Sequence, residues 1–221
     1  MNISRRKFIN VGTLSLGISA LPICNFLKKK TELEDLYDYM ESHTVLHPLK
    51  GEVPFKLYPH HKRILKNIHE NDKVVIVKAR QIGMTTLLAG YMRWRYGLYN
   101  YRYFSGSFER NNHFENKIAK FSNVKIPDNS ICCVCDEYNL FKIPIIPEGV
   151  KKVIITGTPD YNGNLKYIVD RKDLFGFKVF TYSAHDCYPM WDKNKIDLVK
   201  NVYYKHMNDN YFKRDLEAKF V

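Results

Sequence analysis

Val74-Val-Ile-Val77 is an apolar run that opens directly into Lys78-Ala-Arg-Gln-Ile-Gly-Met-Thr-Thr86. A helical pattern follows from Thr85 to Tyr96 and stops near Gly97. Few arrangements accept a loop with a glycine and two threonines between a buried strand and a helix. It is the setting in which backbone N–H groups cradle a phosphate. Two more apolar runs lie downstream. Ile131-Cys-Cys-Val-Cys-Asp-Glu137 ends in two acids, and Val153-Ile-Ile-Thr-Gly-Thr-Pro159 ends in a small polar turn. Strands that alternate with helices predict an α/β fold. Its central sheet is mainly parallel and flanked by helices, and ligands sit at the carboxyl ends of the strands.

In this order the three strings predict the site of a P-loop NTPase that takes ATP and Mg2+. A triphosphate is held by the N–H groups of a tight loop and by the positive end of the following helix. Gly83 lets the backbone come close to it. Thr85 or Thr86 carries the hydroxyl for magnesium, and the spacing of G-K-[ST] favours Thr85. Asp136 holds the metal through its water shell. Glu137 polarises the attacking water. Thr156 and Thr158, either side of Gly157, stand where a gamma-phosphate is sensed. One departure matters. Met84 occupies the position after Gly83 where lysine is usual, and a thioether cannot neutralise phosphate charge. Lys78 or Arg80 must then reach in from the start of the loop.

These strings resemble the terminase large subunits, the DNA-packaging ATPases of tailed phages. Their deviant loops have the form basic-x-x-R/Q-x-G-x-[ST], matched here by Lys78, Gln81, Gly83 and Thr85. The resemblance implies that Lys78 rather than Arg80 supplies the cation, with Arg80 free to anchor the loop or face a neighbouring subunit. It also implies that Met84→Lys is tolerated. Leu57-Tyr-Pro-His-His61 is similar to the family's aromatic-proline-x-glutamine adenine motif. Tyr58 and His61 stand at its ends, with histidine in the place of glutamine. Thr156-Gly-Thr158 resembles the family's coupling motif, and Tyr211 to Phe220 resembles the segment that closes the ATPase domain. The likeness covers roughly residues 50–221 and implies a motor that moves double-stranded DNA. Its expected partners are a portal protein, a small terminase subunit and copies of itself in a ring. The expected place is the host cytoplasm, at the procapsid portal. The family's nuclease domain is expected to be absent, and a separately encoded nuclease would supply that activity.

Charge agrees with a phosphate-rich partner. The 221 residues carry a formal net charge of +12, which favours nucleic acid by electrostatics alone. Hydrophobic residues make up 45% of the chain, enough for one α/β domain with a real core. The five cysteines do not form a disulfide scaffold. Adjacent Cys132 and Cys133 on a strand point to opposite faces, and no C-x-x-C pair suggests zinc. Residues 1–30 read as a separate basic and apolar arm, ahead of an ATPase domain over 31–221. Ser4-Arg-Arg-Lys-Phe resembles a twin-arginine export signal, but the cytoplasmic motifs downstream favour an arm that docks on DNA or on a neighbouring subunit.

The remaining elements follow from local signals. Thr31 and Glu34 form a capping-box pattern before a helix to Ser42. His43 to Lys56 reads as a loop, and Tyr58 to Glu70 as a helix with an early proline. Lys73 to Val77 is read as the central strand. Further strands are expected at 101–105, 130–135, 151–155 and 177–183. Helices are expected at 111–121, 195–206 and 211–220, with turns at Pro127 and at Tyr161-Asn-Gly-Asn164. Trp94 and Trp191 are read as core residues. Two rival functions remain: another P-loop DNA-dependent ATPase, and a non-catalytic remnant that binds DNA or portal. An exported protein is the reading of the first 25 residues alone.

Overall fold

A computed structural model describes residues 30–47, 50–97, 101–105, 118–119, 132–140, 149–159 and 163–221. The arm ahead of Lys30, the turn at Pro127 and most of the helix expected over 111–121 lie outside the described residues. The chain opens with α1 (Glu32–Glu41), then β1 (Thr44–His47) and β2 (Gly51–Pro54). Next come α2 (Pro59–Glu70), β3 (Lys73–Lys78), α3 (Met84–Tyr96), β4 (Tyr101–Ser105) and β5 (Ile118–Ala119). After β6 (Cys132–Asp136), a 3-10 turn spans Tyr138–Leu140, followed by β7 (Lys152–Gly157), α4 (Asn164–Asp170) and α5 (Lys172–Phe175). The chain continues with β8 (Lys178–Tyr182), a second 3-10 turn (Ala184–Cys187), α6 (Lys193–Val202) and α7 (Asp209–Asp215).

Among the described residues six strands form one sheet in the order β5-β4-β6-β7-β3-β8, and every pairing in it is parallel. The expected α/β architecture is therefore present, and the sheet is wholly parallel. β3 is not central, however: it lies second from one edge. β7 sits between β3 and β6, so it touches both the loop strand and the acidic strand.

Alternation along each strand builds two cores. Val74, Ile76, Cys132, Val134 and Ile154 face one side, where α1, α2, α3, α6 and α7 pack. Val75, Val77, Cys133, Cys135, Val153 and Ile155 face the other, with Leu165 and Ile168 of α4. Cys132 and Cys133 thus point to opposite layers, and the described cysteines are free and buried. Residues 87–92 of α3 are all buried, so this helix is enclosed rather than amphipathic. Each fully buried Leu or Ile here contributes about 1.5–3 kcal/mol.

Three expectations change. The loop over His43 to Lys56 contains a hairpin, β1 paired antiparallel with β2, and Gly51 is the first residue of β2, paired with His47. Ile118 and Ala119 pair with β4 as a short strand, where a helix was expected. The turn expected at Tyr161 to Asn164 lies partly outside the described residues, and a helix absent from the sequence reading, α4, follows Gly163, whose φ of 75° is left-handed. The closing helices are shorter than expected, ending at Val202 and Asp215. The capping box is as expected: the Thr31 hydroxyl accepts from Glu34 N–H, and Glu34 accepts from Thr31 N–H. Among the described residues no helix is long and apolar enough to cross a membrane.

Candidate active site

Parity and register assemble the site. Lys78, Asp136 and Thr156 follow Ile76, Val134 and Ile154 by two residues, so all three face the α3 side of the sheet. Val134 pairs with Ile154, which sets Asp136 beside Thr156. The three side chains therefore emerge together at the carboxyl ends of adjacent strands, where α/β folds bind ligands.

The loop between β3 and α3 is held open by two left-handed residues, Gln81 with φ 57° and Gly83 with φ 76°. Such values favour glycine, and a non-glycine there marks a constrained loop. A Cβ on Gly83 would come within 3.1 Å of His61 Nε2. His61 supports the loop from beneath. Its Nε2–H donates to Ile82 O at 3.0 Å, and its Nδ1 accepts from Tyr58 N–H at 3.3 Å. Burial holds its imidazole below the ordinary histidine range, in keeping with a neutral ring bonded at both nitrogens. Tyr58 stacks on His60. The side chain at the adenine-motif position is thus bonded to the loop and to the start of its own helix.

The acidic strand meets the loop through hydroxyls. Thr85 Oγ1 donates to Asp136 Oδ2 at 2.6 Å, and Thr156 Oγ1 donates to Asp136 Oδ1 at 2.5 Å. Glu137 also has a left-handed φ of 52°, which turns its carboxylate back towards β3. There Lys78 Nζ donates to Glu137 Oε1 at 2.6 Å. Lys78 is 3% exposed, so this pair is nearly desolvated on the lysine side. The sequence places Lys78 on phosphate and Glu137 on water; here the two residues hold each other.

Met84 is buried in the α3-side core. A lysine there would carry its stem into apolar packing, so Met84→Lys is expected to lose stability, where the sequence reading expects tolerance. Thr86, the competitor of Thr85, lies half-buried one position further along α3. Arg80 takes the anchoring role. Its N–H donates to Asp215 O at 2.8 Å, and its guanidinium lies 3.5 Å from Asp215 Oδ1. Thr158 is buried, and among the described residues its hydroxyl has no hydrogen-bond partner, an orphan that a phosphate oxygen would satisfy.

Three contributors were not found from sequence. Asp215, on α7, also accepts from Arg214 Nε at 2.7 Å and Tyr204 OH at 3.1 Å. Trp191 donates to Gln81 O at 3.4 Å, beyond its expected core role; Trp94 is half-buried and donates to Asp35. Asn139 accepts from Thr158 N–H at 3.3 Å. No sequence signal marks them, because each is defined by a contact with a distant segment.

Hydroxyl and carboxylate oxygens form the donor set around Asp136, and hard oxygen ligands suit magnesium. Among the described residues no group of three or more His, Cys, Asp or Glu side chains is placed to hold a metal by itself. Magnesium commonly takes one or two protein ligands and completes its shell with water and phosphate, so the residues fit it.

No protein-family model matches the sequence, and no curated protein matches it. Solved structures do. A crystal form of the large terminase from a thermophilic bacteriophage is similar over 75% of this chain and 53% of that chain, with a TM-score of 0.50 and 12% sequence identity. The same terminase in complex with ADP aligns over 75% of this chain and 54% of that chain, with a TM-score of 0.49 and 13% identity. In complex with ATP-gamma-S it aligns over 75% and 53%, with a TM-score of 0.49 and 13% identity. The chain spans about half the length of these solved structures. At such identity the likeness is one of fold: this chain shares the α/β fold of the part of the large terminase that it covers.

Proposed function

We propose that this chain is an ATP-hydrolysing motor domain of the terminase large-subunit type, which drives viral DNA into a procapsid. The observation that carries the reading is the meeting of Thr85, Asp136 and Thr156 within hydrogen-bond distance, beside the Lys78–Glu137 pair. Bound magnesium would supply charge neutralisation and a template for the phosphates. Thr85 and Asp136 would hold it.

The chain's own residues would do the rest. The N–H groups at the start of α3 bind phosphate oxygens with the positive end of the helix. Lys78 leaves Glu137 and pairs with phosphate, since one ammonium close to two anions follows the larger charge. Glu137, released, accepts a proton from the attacking water. The Thr158 hydroxyl donates to the gamma-phosphate. Arg80 stays on Asp215 and keeps the loop fixed to α7. The Lys78–Glu137 contact is thus the resting arrangement, broken when the triphosphate arrives.

The +12 charge supports double-stranded DNA as the moved partner, with affinity that falls steeply as salt rises. A portal protein, a small terminase subunit, a ring of like subunits and a separately encoded nuclease complete the proposed assembly, at the procapsid portal in the host cytoplasm. A basic arm over residues 1–30 ahead of the ATPase domain over 31–221 is part of the same proposal. The burial of Met84 favours a second reading, a remnant that binds nucleotide or DNA without turnover.

The test is steady-state hydrolysis of magnesium-ATP. Glu137→Gln is expected to keep nucleotide binding and to lose at least about tenfold in turnover. Wild-type turnover by Glu137→Gln overturns the catalytic assignment. A wild-type chain that binds ATP and never hydrolyses it selects the remnant.

A further inference from the structure

Asn139 sits two residues beyond Glu137, inside the 3-10 turn closed by Leu140 N–H donating to Glu137 O at 2.9 Å. It is a polar side chain only 6% exposed. A buried amide needs partners, and this one reaches out of its own turn to the tip of β7. Its Oδ1 accepts from Thr158 N–H at 3.3 Å. The approach is close: a Cβ on Gly157 would stand 2.9 Å from that oxygen and 3.3 Å from Asn139 N. Only glycine lets the amide lie against the strand end there. The residue it holds, Thr158, carries the buried hydroxyl that has no partner among the described residues.

We infer that Asn139 is a positioning residue that locks the Glu137 turn to the Thr158 peptide, so that the base and the gamma-phosphate donor keep one fixed separation. This rests on the ATPase reading above. The physical argument is that two groups on different strand tips, β6 and β7, must act on one phosphate. The sheet register fixes their strands, but the β6–β7 ladder ends at Cys135 with Ile155, and the other ladders of these strands end at Asp136 and Gly157, short of Glu137 and Thr158. Beyond these ends a side-chain amide takes over the work of the ladder. A reacting group displaced by about 1 Å loses on the order of 10²-fold in rate, so the lock acts on the chemical step rather than on nucleotide affinity.

The experiment compares wild type, Asn139→Ala, Thr158→Val and the double variant by steady-state magnesium-ATP turnover, with fluorescent-nucleotide binding and circular dichroism alongside. Asn139→Ala is expected to lose at least about tenfold in kcat with KM for ATP nearly unchanged. Thr158→Val keeps the N–H and removes the hydroxyl. Once that hydroxyl is gone, adding Asn139→Ala should cost little more, a non-additivity that a merely structural role would not give. If Asn139→Ala fails to fold, Gly157→Ala displaces the same amide and is expected to show the same kcat loss. An active wild type with unchanged kcat in Asn139→Ala or Gly157→Ala overturns this inference and leaves the ATPase reading standing. So does fully additive loss in the double variant. A wild type without turnover overturns both.

Discussion

Two lysines are buried at opposite ends of adjacent strands. Lys78 closes β3 at the carboxyl end of the sheet, and Lys152, 5% exposed, opens β7 at the amino end. Each ammonium has left water and needs compensation. Lys152 donates to the carbonyls of Ile68 and Asn71, at the end of α2. Those partners are backbone dipoles at a helix C-terminus, where a cation is favoured. They cannot be exchanged unless the helix end unwinds. Burial pulls the Lys152 ammonium below the ordinary lysine range, and the neighbouring Asp72 works against that pull. Lys78 instead meets the carboxylate of Glu137, whose side chain is 22% exposed and stands on a turn. That partner can swing away. The same residue type is structural where its partner is fixed main chain, and free to act where its partner is a movable side chain.

The largest test of this contrast is Lys78→Met, which keeps the buried stem and removes the charge. ATP turnover is expected to fall by about 10²–10³-fold while the thermal midpoint hardly moves. Full activity in that variant would transfer the cation's role to Arg80 and break the comparison.

A third buried base sharpens the contrast from the other side. His60 is fully buried, and neither of its ring nitrogens has a hydrogen-bond partner among the described residues. It resolves the problem by staying neutral. Burial, then His61 and Arg63, bring its pKa from 6.5 to about 4, against the pull of the Ile82 carbonyl. Between these values the unfolded chain takes up a proton that the folded chain refuses. Stability is therefore expected to drop as pH falls from about 6.5 to about 4, by roughly 3 kcal/mol at most. His60→Leu should flatten that part of the curve in urea unfolding at stepped pH. An unchanged slope would mean that the ring is not the source.

The smallest expected effect is on stability at the amino end. Lys152→Met leaves two carbonyls without their donor and is expected to lose about 1–2 kcal/mol, read by urea unfolding, with kcat for ATP unchanged. A fall in kcat there would mean that the amino end of the sheet is coupled to the site.

Much of the fold is legible in local signals. The run Val74–Val77, the loop with Gly83 and the enclosed helix after it follow from residues within about twenty positions of each other. The Thr31–Glu34 cap is equally local. The β1–β2 hairpin is not, because four-residue strands around Pro48 and Gly51 carry too little alternation to outweigh their turn signals. α4 is hidden for the same reason, as seven residues that begin in a turn sequence. In the site, Asp136, Glu137, Thr156 and Thr158 announce themselves by residue type at the end of an apolar run, and Thr85 by its place after the glycine loop. The contacts between them do not. Lys78 holding Glu137, His61 under Ile82, and Arg80 on Asp215 join segments that are 21 to 135 residues apart, as their numbers show.

By itself the sequence determined the strands β3, β4, β6, β7 and β8, the glycine loop between β3 and α3, and which residues carry oxygen and charge at the strand ends. Hydrophobic period and loop chemistry act over a few residues, so they can be read without a partner. Only the tertiary structure decided that β7 inserts between β3 and β6, that Asp136 stands beside Thr156, and that Asn139 reaches Thr158. Hydrogen-bond register between strands depends on how whole faces pack, and every apolar strand offers the same main-chain donors and acceptors to each candidate neighbour.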